Sequence, residues 1–562
     1  MKKQIIECVP NFSEGRDMTI IKQITNAIEA VEGVQLLDVD PGAATNRTVV
    51  TFVGAPEPVI HAAYEGMKKA AELIDMSKHT GEHPRMGATD VCPLIPISNI
   101  TMEETVKWAH KLGEMAGRDL GIPLYMYENA ATQPERKNLA TVRAGEYEGL
   151  QKKLSDPNWK PDYGPGSFNA QSGATAISAR EFLVAYNVNL NTTSVRRANS
   201  VAFDVREKGR VKREGNPITG AIVNDADGNP LREPGKLKSV KGIGWYIEEY
   251  GFAQISMNLT NITITTLHEA FEACRDSANA RGLRVTGSEL VGLVPLSVML
   301  DAGRYFLKKQ RRSVGVDESE LIRIAIASMG LDELGKFDPA QKIIEYRMKA
   351  VGDSPLLKMD LEAFANETAS ESPAPGGGSI SAYVGALGVS LATMVANLSS
   401  HKRDWDDRWE SFSEWAAKGQ DYKAQLLRLV DEDTNAFNAI MDAFRLPKGS
   451  AEEKSARSEA IQAATKNAIE VPLQVMECSL NSFEVILAMA KDGNPNSASD
   501  AGVGALCARA AIHGAYLNVK INAPGLKDKT YVKSVLDKGE KMILKADQLE
   551  REVITLVENN IS

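Results

Sequence analysis

The sequence has few of the residues that build disulfide frameworks or thiolate metal sites. Its five cysteines are far apart and form no CxxC pair; they are Cys8, Cys92, Cys274, Cys478 and Cys507. This pattern argues against both kinds of site and fits a reducing compartment. The N-terminal residues also lack the apolar stretch of a secretory signal. We therefore expect a cytoplasmic protein.

An excess of positive charge is also absent. Lys and Arg number 65 against 74 Asp and Glu, so the formal net charge is −9. Proteins that bind nucleic acids usually carry a basic surface, and this balance argues against such a partner. It leaves open the binding of a small anion in a local basic pocket.

One long stretch, from Ser372 to Ser400, lacks charged residues and is long enough to cross a bilayer. Prolines, consecutive glycines and several serines lower its hydrophobicity. We predict a buried helix in the core of a bundle and no membrane span.

The 562 residues exceed what one hydrophobic core usually accommodates. The first part has the strand–helix–strand–strand–helix order of a split βαβ unit, and strand patterns resume after a Pro- and Gly-rich loop at 158–173. Beyond about residue 356 nearly every segment has helical periodicity. We predict a multidomain chain with two α/β subdomains (1–182 and 183–347), a linker (348–355) and an all-α helical bundle (356–562).

A polar loop at 76–87 carries the densest chemistry. His79, Glu82 and His83 match HxxEH, a zinc-protease pattern that requires an unbroken helix. Gly81 and Pro84 argue against such a helix, so we predict no metal site. We interpret His83 as a proton-transfer group tuned by its charged neighbours. A surface histidine without a catalytic role stays open as the alternative, more so for His79 than for His83.

Three further residues at the ends of predicted strands are candidates for ligand contacts. Asn11 lies in a loop between a strand and a helix, where side-chain and backbone donors can bind a carboxylate. Asp40 and Arg47 lie near each other in sequence at the ends of two strands. A simple turn with helix capping explains Asn11 equally well, and an ion pair explains the other two.

The helical part offers two candidates. A run at 372–379 precedes a helix but lacks the Lys of a nucleotide-binding P-loop, and the N–H groups of Gly376, Gly377 and Gly378 can hold a carboxylate. A flexible linker end is the alternative. Asp433 closes an acidic triplet that is typical of helix N-caps. If it instead faces a pocket between helices, burial raises its pKa and suits proton transfer.

Several long motifs, in order, resemble the formimidoyltransferase-cyclodeaminase family over nearly the whole chain. They include ECVPNFSEG (7–15), LLDVD (36–40), NRTVVTFVG (46–54), GEHPRMGATDVCP (81–93), RAGEYEGL (143–150), APGGGS (374–379) and LVDEDTNAF (429–437). The departure is 213–238, a predicted surface excursion that looks longer than in vertebrate members.

The resemblance implies a bifunctional folate enzyme of histidine degradation. It transfers a formimino group between N-formimidoyl-L-glutamate and tetrahydrofolate, then cyclodeaminates 5-formimidoyltetrahydrofolate to 5,10-methenyltetrahydrofolate and ammonia. By resemblance His83 is the transferase proton acceptor and Asp433 the cyclodeaminase aspartate. The folate-binding segment would be Gly164, Pro165, Gly166, Ser167, Phe168, Asn169, Ala170, Gln171, Ser172 and Gly173.

The resemblance also implies the partners of the enzyme. Tetrahydrofolate is a co-substrate, with or without a polyglutamate tail, and no metal is required. Family members assemble into rings, so we expect a homo-oligomer. Two alternatives stay open for the bundle: a methenyltetrahydrofolate cyclohydrolase, or a non-catalytic oligomerisation domain.

Overall fold

The computed structural model describes residues 4–43, 46–81, 84–215, 219–349 and 355–561. His83 and most of the predicted linker therefore lie outside the described residues. The chain divides into two compact units: Met1–Val298 with Met329–Val351, and Met299–Ser328 with Gly352–Ser562. The predicted boundaries between the three domains stay a prediction.

The first unit begins with a seven-stranded sheet. Its strands are β1 (Ile5–Cys8), β2 (Asn11–Phe12), β3 (Val34–Gly42), β4 (Arg47–Gly54), β5 (Thr89–Ser98), β6 (Leu124–Glu128) and β7 (Thr175–Ala179). The helices are α1 (Met18–Glu29), α2 (Pro56–Leu73), α3 (Met102–Asp119), α4 (Leu139–Val142) and α5 (Glu146–Leu154). The strand order is β1-β4-β2-β5-β7-β6, and β3 pairs with β4.

The two faces of this sheet differ in polarity because side chains alternate along each strand. Ile6, Phe12 and Phe52 are buried in the apolar core that includes residues of helices α1 to α3. Asn11 pairs in register with Val49 and therefore shares the opposite face with Arg47. The predicted ligand-contact residues at the strand ends thus lie on the face away from that core.

The same unit continues with strands β8 (Val184–Leu190), β9 (Arg210–Val211), β10 (Arg232–Glu233), β11 (Val240–Ile247), β12 (Phe252–Leu259) and β13 (Val285–Val291). Four of them form a smaller sheet in the order β11-β12-β8-β13, and β9 and β10 form a separate two-stranded sheet. The helices are α6 (Val195–Val205) and α7 (Leu267–Asn279), followed by α8 (Leu296–Lys309), α9 (Glu318–Met329), α10 (Pro339–Lys342) and α11 (Ile344–Lys349). The β9–β10 pair forms the base of the excursion at 213–238, whose described residues are mostly exposed.

The second unit is helical. Besides most of α8 and α9 it contains α12 (Leu361–Thr368), α13 (Gly377–Ser400), α14 (Trp409–Arg445), α15 (Ala451–Asp492), α16 (Ala498–Asn522) and α17 (Lys529–Ile561). Residues of the α8–α9 region join it because Leu307, Val314 and Leu321 form an apolar cluster against which Ala417 packs. The sequence pattern assigns α8 and α9 to the second α/β subdomain (183–347), whereas contacts in the structure group most of both helices with the helical unit.

Helix α13 is the uncharged segment singled out in the sequence. It is the one described helix that is long and apolar enough to cross a membrane, but 61% of its most apolar window is buried inside the protein. Small residues let its neighbours approach closely: a Cβ on Gly388 would lie 2.8 Å from the carbonyl oxygen of Gly504. The helix therefore packs as part of the core of the bundle, as the sequence predicts.

The N-cap interpretation of the acidic triplet is wrong. Helix α14 runs unbroken from Trp409 to Arg445, so Asp433 lies in its interior and does not precede a new helix. The helical pattern is continuous through the triplet because Val430 and Ala436 are buried on the core side, while Glu432 pairs with Arg428 one turn earlier.

Candidate functional sites

The described residues on either side of His83 in the sequence are held by hydrogen bonds. His79 accepts a hydrogen bond at Nδ1 from Arg85 Nε (3.2 Å), and its Nε2 donates to the carbonyl oxygen of Asn46 (2.9 Å). Both ring nitrogens of His79 are thus engaged within the protein. The backbone at His79 is extended, not helical, so the arrangement that the HxxEH zinc motif requires is not present there.

Arg85 is the centre of this region. It is 8% exposed and its guanidinium binds Glu148 through two hydrogen bonds of 2.7 and 2.9 Å, and Glu146 through one of 3.2 Å. The α5 helix that begins at Glu146 is therefore tied to the loop. A cavity of about 490 Å³ opens here, lined by residues that include His79, Gly81, Arg85 and Glu148.

The segment Gly164–Gly173 lies against the same loop. The N–H of Ala88 donates to the carbonyl oxygen of Ser172 (2.8 Å), and a Cβ on Gly173 would lie 2.1 Å from the carbonyl oxygen of Met86. Only glycine fits this close approach, and its φ of +65° also favours glycine. The structure therefore brings the predicted folate-binding segment next to the flank of His83.

Tyr147 joins these two parts. Its N–H donates to the carbonyl oxygen of Arg85 (2.9 Å), and its hydroxyl donates to the carbonyl oxygen of Ala170 (2.5 Å). The ring packs against Phe168 with centroids 5.5 Å apart. Arg85, helix α5 and the glycine-rich segment are therefore connected by hydrogen bonds and ring packing.

The strand-end candidates are only partly brought together. Arg47 donates a short hydrogen bond to Asn11 Oδ1, and Asp40 lies exposed opposite Val49 in the β3–β4 register. Burial lowers the pKa of Arg47 to about 10. Asn11 thus contacts another candidate side chain, which the interpretation as a simple turn does not explain.

Residues without an assigned role in the sequence complete this site. Arg143, Glu146 and Glu148 belong to the motif at 143–150, which carried the resemblance but no proposed chemistry. Arg143 forms a short ion pair with Asp90, which is 1% exposed. In the sequence, the charged residues around Tyr147 in this motif could have indicated a functional role. Only the fold shows which loop their side chains contact.

The second site is formed where α14 passes the start of α13. Asp433 Oδ2 accepts hydrogen bonds from the N–H of Ser379 (2.9 Å) and from its hydroxyl (3.3 Å). Burial raises the pKa of Asp433, and the two bonds from Ser379 oppose that rise. The pKa of Asp433 is higher in the folded protein than in the unfolded chain, so the protonated carboxyl group stabilises the fold. This stabilisation is complete below the ordinary pKa range of aspartate and is lost as the pH rises through the pKa of the folded state.

The glycines before α13 make room for this carboxylate. A Cβ on Gly378 would lie 2.1 Å from Asp433 Oδ1, and one on Gly377 would lie 3.1 Å from Asn518 Nδ2. Gly376 is the N-cap. The carboxylate near the start of α13 is therefore that of Asp433 and not that of a ligand. Its negative charge lies at the N-terminus of the helix, where the helix dipole stabilises it. Only their place in motifs marks Ser379 and Asn518 in the sequence.

Three family models together match most of the chain. The N-terminal subdomain of the formiminotransferase domain matches residues 5–180, the formiminotransferase domain matches 185–349, and formiminotransferase-cyclodeaminase matches 360–541. Formimidoyltransferase-cyclodeaminase from Mus musculus is 42% identical over 94% of this chain and 94% of its own length. The chain belongs to the formimidoyltransferase-cyclodeaminase family.

Shorter relatives of this family resemble parts of the chain. Glutamate formimidoyltransferase from Streptococcus pyogenes serotype M1 is 40% identical over 54% of this chain and 94% of its own length. Methenyltetrahydrofolate cyclohydrolase from Methylorubrum extorquens is 34% identical over 36% of this chain and 97% of its own length. The predicted family, its enzymatic nature and the order of two α/β subdomains before a helical region are confirmed.

Ser379→Ala is expected to raise the pKa of Asp433 further, because it removes one donor that stabilises the carboxylate. If the protonation of Asp433 controls cyclodeamination, the corresponding limb of the pH profile of kcat/KM moves to higher pH. Ser390→Ala is the matched control, since the Ser390 hydroxyl donates only to Ala386 within the same helix (2.6 Å). A profile that coincides with the control would show that Asp433 does not set the pH dependence.

Proposed function

We propose that this chain transfers the formimino group between N-formimidoyl-L-glutamate and tetrahydrofolate, and then cyclodeaminates 5-formimidoyltetrahydrofolate to 5,10-methenyltetrahydrofolate and ammonia. The observation that carries the proposal is the alignment of this chain along 94% of its length with a formimidoyltransferase-cyclodeaminase, and a buried Asp433 with a raised pKa in the helical unit supports it. Each activity has the type of proton-transfer group that its chemistry needs.

In the transferase reaction His83 would act as the base. N5 of tetrahydrofolate is a weakly basic amine, and its attack on the carbon of the formimino group must release a proton. A neutral imidazole can accept that proton, and the tetrahedral intermediate can then expel either partner. Gly81 and Arg85, which precede and follow His83 in the sequence, line the cavity described above, and this supports the proposed role.

The segment Gly164–Gly173 would bind the folate. Gly166, Ser167 and Ala170 are exposed, and the adjacent Tyr147–Phe168 pair offers aromatic surface to a planar ring. No protein metal ligand is needed for this chemistry because the folate itself carries the carbon. The proposal includes folate with or without a polyglutamate tail.

In the cyclodeaminase reaction Asp433 would donate the proton. N10 attacks the formimino carbon, and the departing nitrogen must be protonated to leave as ammonia. A carboxyl group whose pKa is raised by burial suits this step. Its Oδ2 is held by Ser379, which orients the group.

A cyclohydrolase activity in the bundle is the second candidate, and the relative from Methylorubrum extorquens favours it. A cyclohydrolase interconverts methenyl- and formyltetrahydrofolate and releases no ammonia. Supplying 5-formimidoyltetrahydrofolate and measuring ammonia together with methenyl absorbance distinguishes the two. A non-catalytic bundle would produce neither.

Separate sites predict separable losses of activity. His83→Ala should lower transfer by at least about 100-fold while the same protein still deaminates supplied 5-formimidoyltetrahydrofolate, and Asp433→Asn should do the reverse. His61→Ala on the surface of α2 and Asp442→Asn on α14 are the matched controls, since both residues are exposed. Loss of both activities in either single variant would contradict the proposal.

Positioning of the folate segment can be tested at Arg136. This arginine is 2% exposed, pairs with Asp162 (2.7 Å) and donates to the carbonyl oxygen of Lys160 (2.8 Å), just before the segment. Arg136→Lys keeps the charge but loses the planar fork, so unfolding should cost about 1–3 kcal/mol less and the KM for tetrahydrofolate should rise about 10-fold with little change in kcat.

The matched control for this change is Arg118→Lys, at an exposed arginine of α3. A loss of stability with an unchanged KM would show that Arg136 braces the fold without positioning folate.

We also propose a homo-oligomer in which copies of the chain contact one another through α13 and α16. Each helix leaves an uncharged apolar stripe at least 40% exposed, formed by Leu387, Met394, Leu398, Val503, Leu506, Leu517 and Ile521. Exposed apolar surface of this kind is typical of protein contacts. A closed ring would require a further interface.

A cytoplasmic location remains a proposal, supported by cysteines that are free and largely buried.

Leu387→Asp combined with Leu506→Asp should lower the molar mass measured by sedimentation equilibrium, because each charge would have to be buried in the contact. Leu544→Asp, at a leucine of α17 that is 69% exposed outside these stripes, is the control. An unchanged mass in the double variant would exclude these stripes as the interface.

A further inference from the structure

The two faces of the four-stranded sheet carry different kinds of side chain. Gly244 of β11 lies against α6, because a Cβ on it would be 2.2 Å from the backbone nitrogen of Asn199. Since side chains alternate along a strand, Trp245 is on the opposite face, where its partner in register on β12 is Gln254. Gln254 in turn pairs with Asn189 on β8. A tryptophan and two side-chain amides therefore form a row on the face away from α6.

The amides on this face are buried and bound to a carboxylate. Gln254 is 1% exposed, and Asn189 and Asn187 are also buried. Gln254 Nε2 donates to Asn189 Oδ1 (2.8 Å) and to Glu289 Oε2 (3.3 Å). Asn187 Nδ2 donates to the same oxygen of Glu289 (3.0 Å). These bonds hold the amide of Gln254 and the carboxylate of Glu289 side by side.

Gln254 has an acceptor to which none of the described residues donates. Its Oε1 is buried and has no hydrogen-bond partner in the described part of the chain. The amide cannot be reversed, because Nε2 faces two acceptors, Asn189 Oδ1 and Glu289 Oε2. With Nε2 directed to β8, Oε1 is directed to β11, where Trp245 lies opposite. A buried acceptor without a donor is costly, so the N–H of a ligand would be stabilised there.

Trp245 gives the same face an exposed aromatic surface. Its side chain is 43% exposed, and Ile243, two residues earlier on this face, is 53% exposed. An exposed indole beside polar groups suits the stacking of a planar ring. Because the Trp245 side chain is exposed, it can rotate without disturbing the core, and this gives a ligand access to Gln254 Oε1.

Lys241 shows where this face lies relative to the first sheet. It is on the face of Ile243 and Trp245 by alternation along β11. Burial raises the pKa of Glu128 at the end of β6, whereas the charges of Arg180 and Lys241 lower it. Such an effect requires a short distance between the charges. The face therefore lies near β6, the strand at which Leu124 binds the backbone just before the glycine-rich segment.

The groups on this face match the pyrimidine ring of a pterin. Glu289 Oε1 has a contact of 3.5 Å with the hydroxyl of Tyr250, which leaves room for a further donor. Glu289 and Gln254 Oε1 thus form a pair of acceptors, and a ligand that satisfies both needs two neighbouring N–H donors. A pterin has them in its ring N–H and its exocyclic amino group, and its flat ring can stack on Trp245. The formimino group has N–H donors but no ring.

We infer that Trp245, Gln254 and Glu289 bind the pterin ring of tetrahydrofolate. This inference rests on the proposed function, which makes tetrahydrofolate a substrate of this unit. Folate also contains a benzoyl ring, so Trp245 and the Tyr147–Phe168 pair do not compete for one ring.

Binding of 6-methyltetrahydropterin to the full chain tests the site, because this compound has the pterin ring but no benzoyl or glutamyl group. In calorimetric titrations Trp245→Ala should raise its Kd about 3- to 10-fold through loss of stacking. Glu289→Gln removes the charge, while the new amide can still accept from Asn187, and should raise the Kd about 10- to 100-fold. In both variants the KM for tetrahydrofolate should rise and that for N-formimidoyl-L-glutamate should not.

Tyr246→Ala and Glu249→Gln are the matched controls. Tyr246 is 41% exposed and follows Trp245 on β11, so its side chain is on the other face. Glu249 is exposed in the turn between β11 and β12. Neither change should alter the Kd by more than about twofold.

A Kd for Trp245→Ala within about twofold of the Tyr246→Ala control would overturn the inference, as would a rise in the KM for N-formimidoyl-L-glutamate alone. Trp245 is exposed, so this result stands even if Glu289→Gln fails to fold. The proposed function fails differently, because the unchanged protein would then show no formimino transfer. The titration requires no turnover: pterin binding that is weakened by Trp245→Ala would still support the site, and no pterin binding by the unchanged protein would reject it.

Discussion

The first site depends on three arginines, two buried and one half-buried, that are each held by a carboxylate. Arg85 ties α5 to the loop of His83, Arg136 ties the start of the glycine-rich segment to β6 through Asp162, and Arg143 ties the motif after α4 to β5. A buried charge without a partner is strongly destabilising, so each pair has few alternative positions. Irregular loops can hold a defined geometry here because these charges fix them to a regular sheet.

The second site reaches a similar result with small side chains. Gly378 allows the carboxylate of Asp433 to lie against the start of α13, and Ser379 then supplies two donors to it. Any larger residue at Gly378 would occupy the place of the carboxylate. The position of this carboxyl group is therefore set by close packing between helices, whereas ion pairs hold the described loops of the first site.

The sequence predicted the fold better than it predicted the contacts. The β-branched residues of β4 and the helical spacing of small residues in α13 are local, so they are visible in the sequence. The break predicted before Asp433 was wrong because acidic residues also occur inside helices when their neighbours pair or are buried. The ion-pair partners of Arg85 and Asp90 could not be predicted, since they lie more than fifty residues away and depend on how α4 and α5 return to the sheet. His83 and Asp433 themselves were reached through motifs, and their roles stay predictions.

Opposite proton demands give a physical reason for two sites. Transfer must remove a proton from an attacking amine, which calls for a base that is neutral near pH 7, whereas ring closure with loss of ammonia must supply one. A single group poised for one step is in the wrong protonation state for the other. With two separate groups, burial between helices can raise the pKa of the Asp433 carboxyl without changing the protonation of the base in the other reaction.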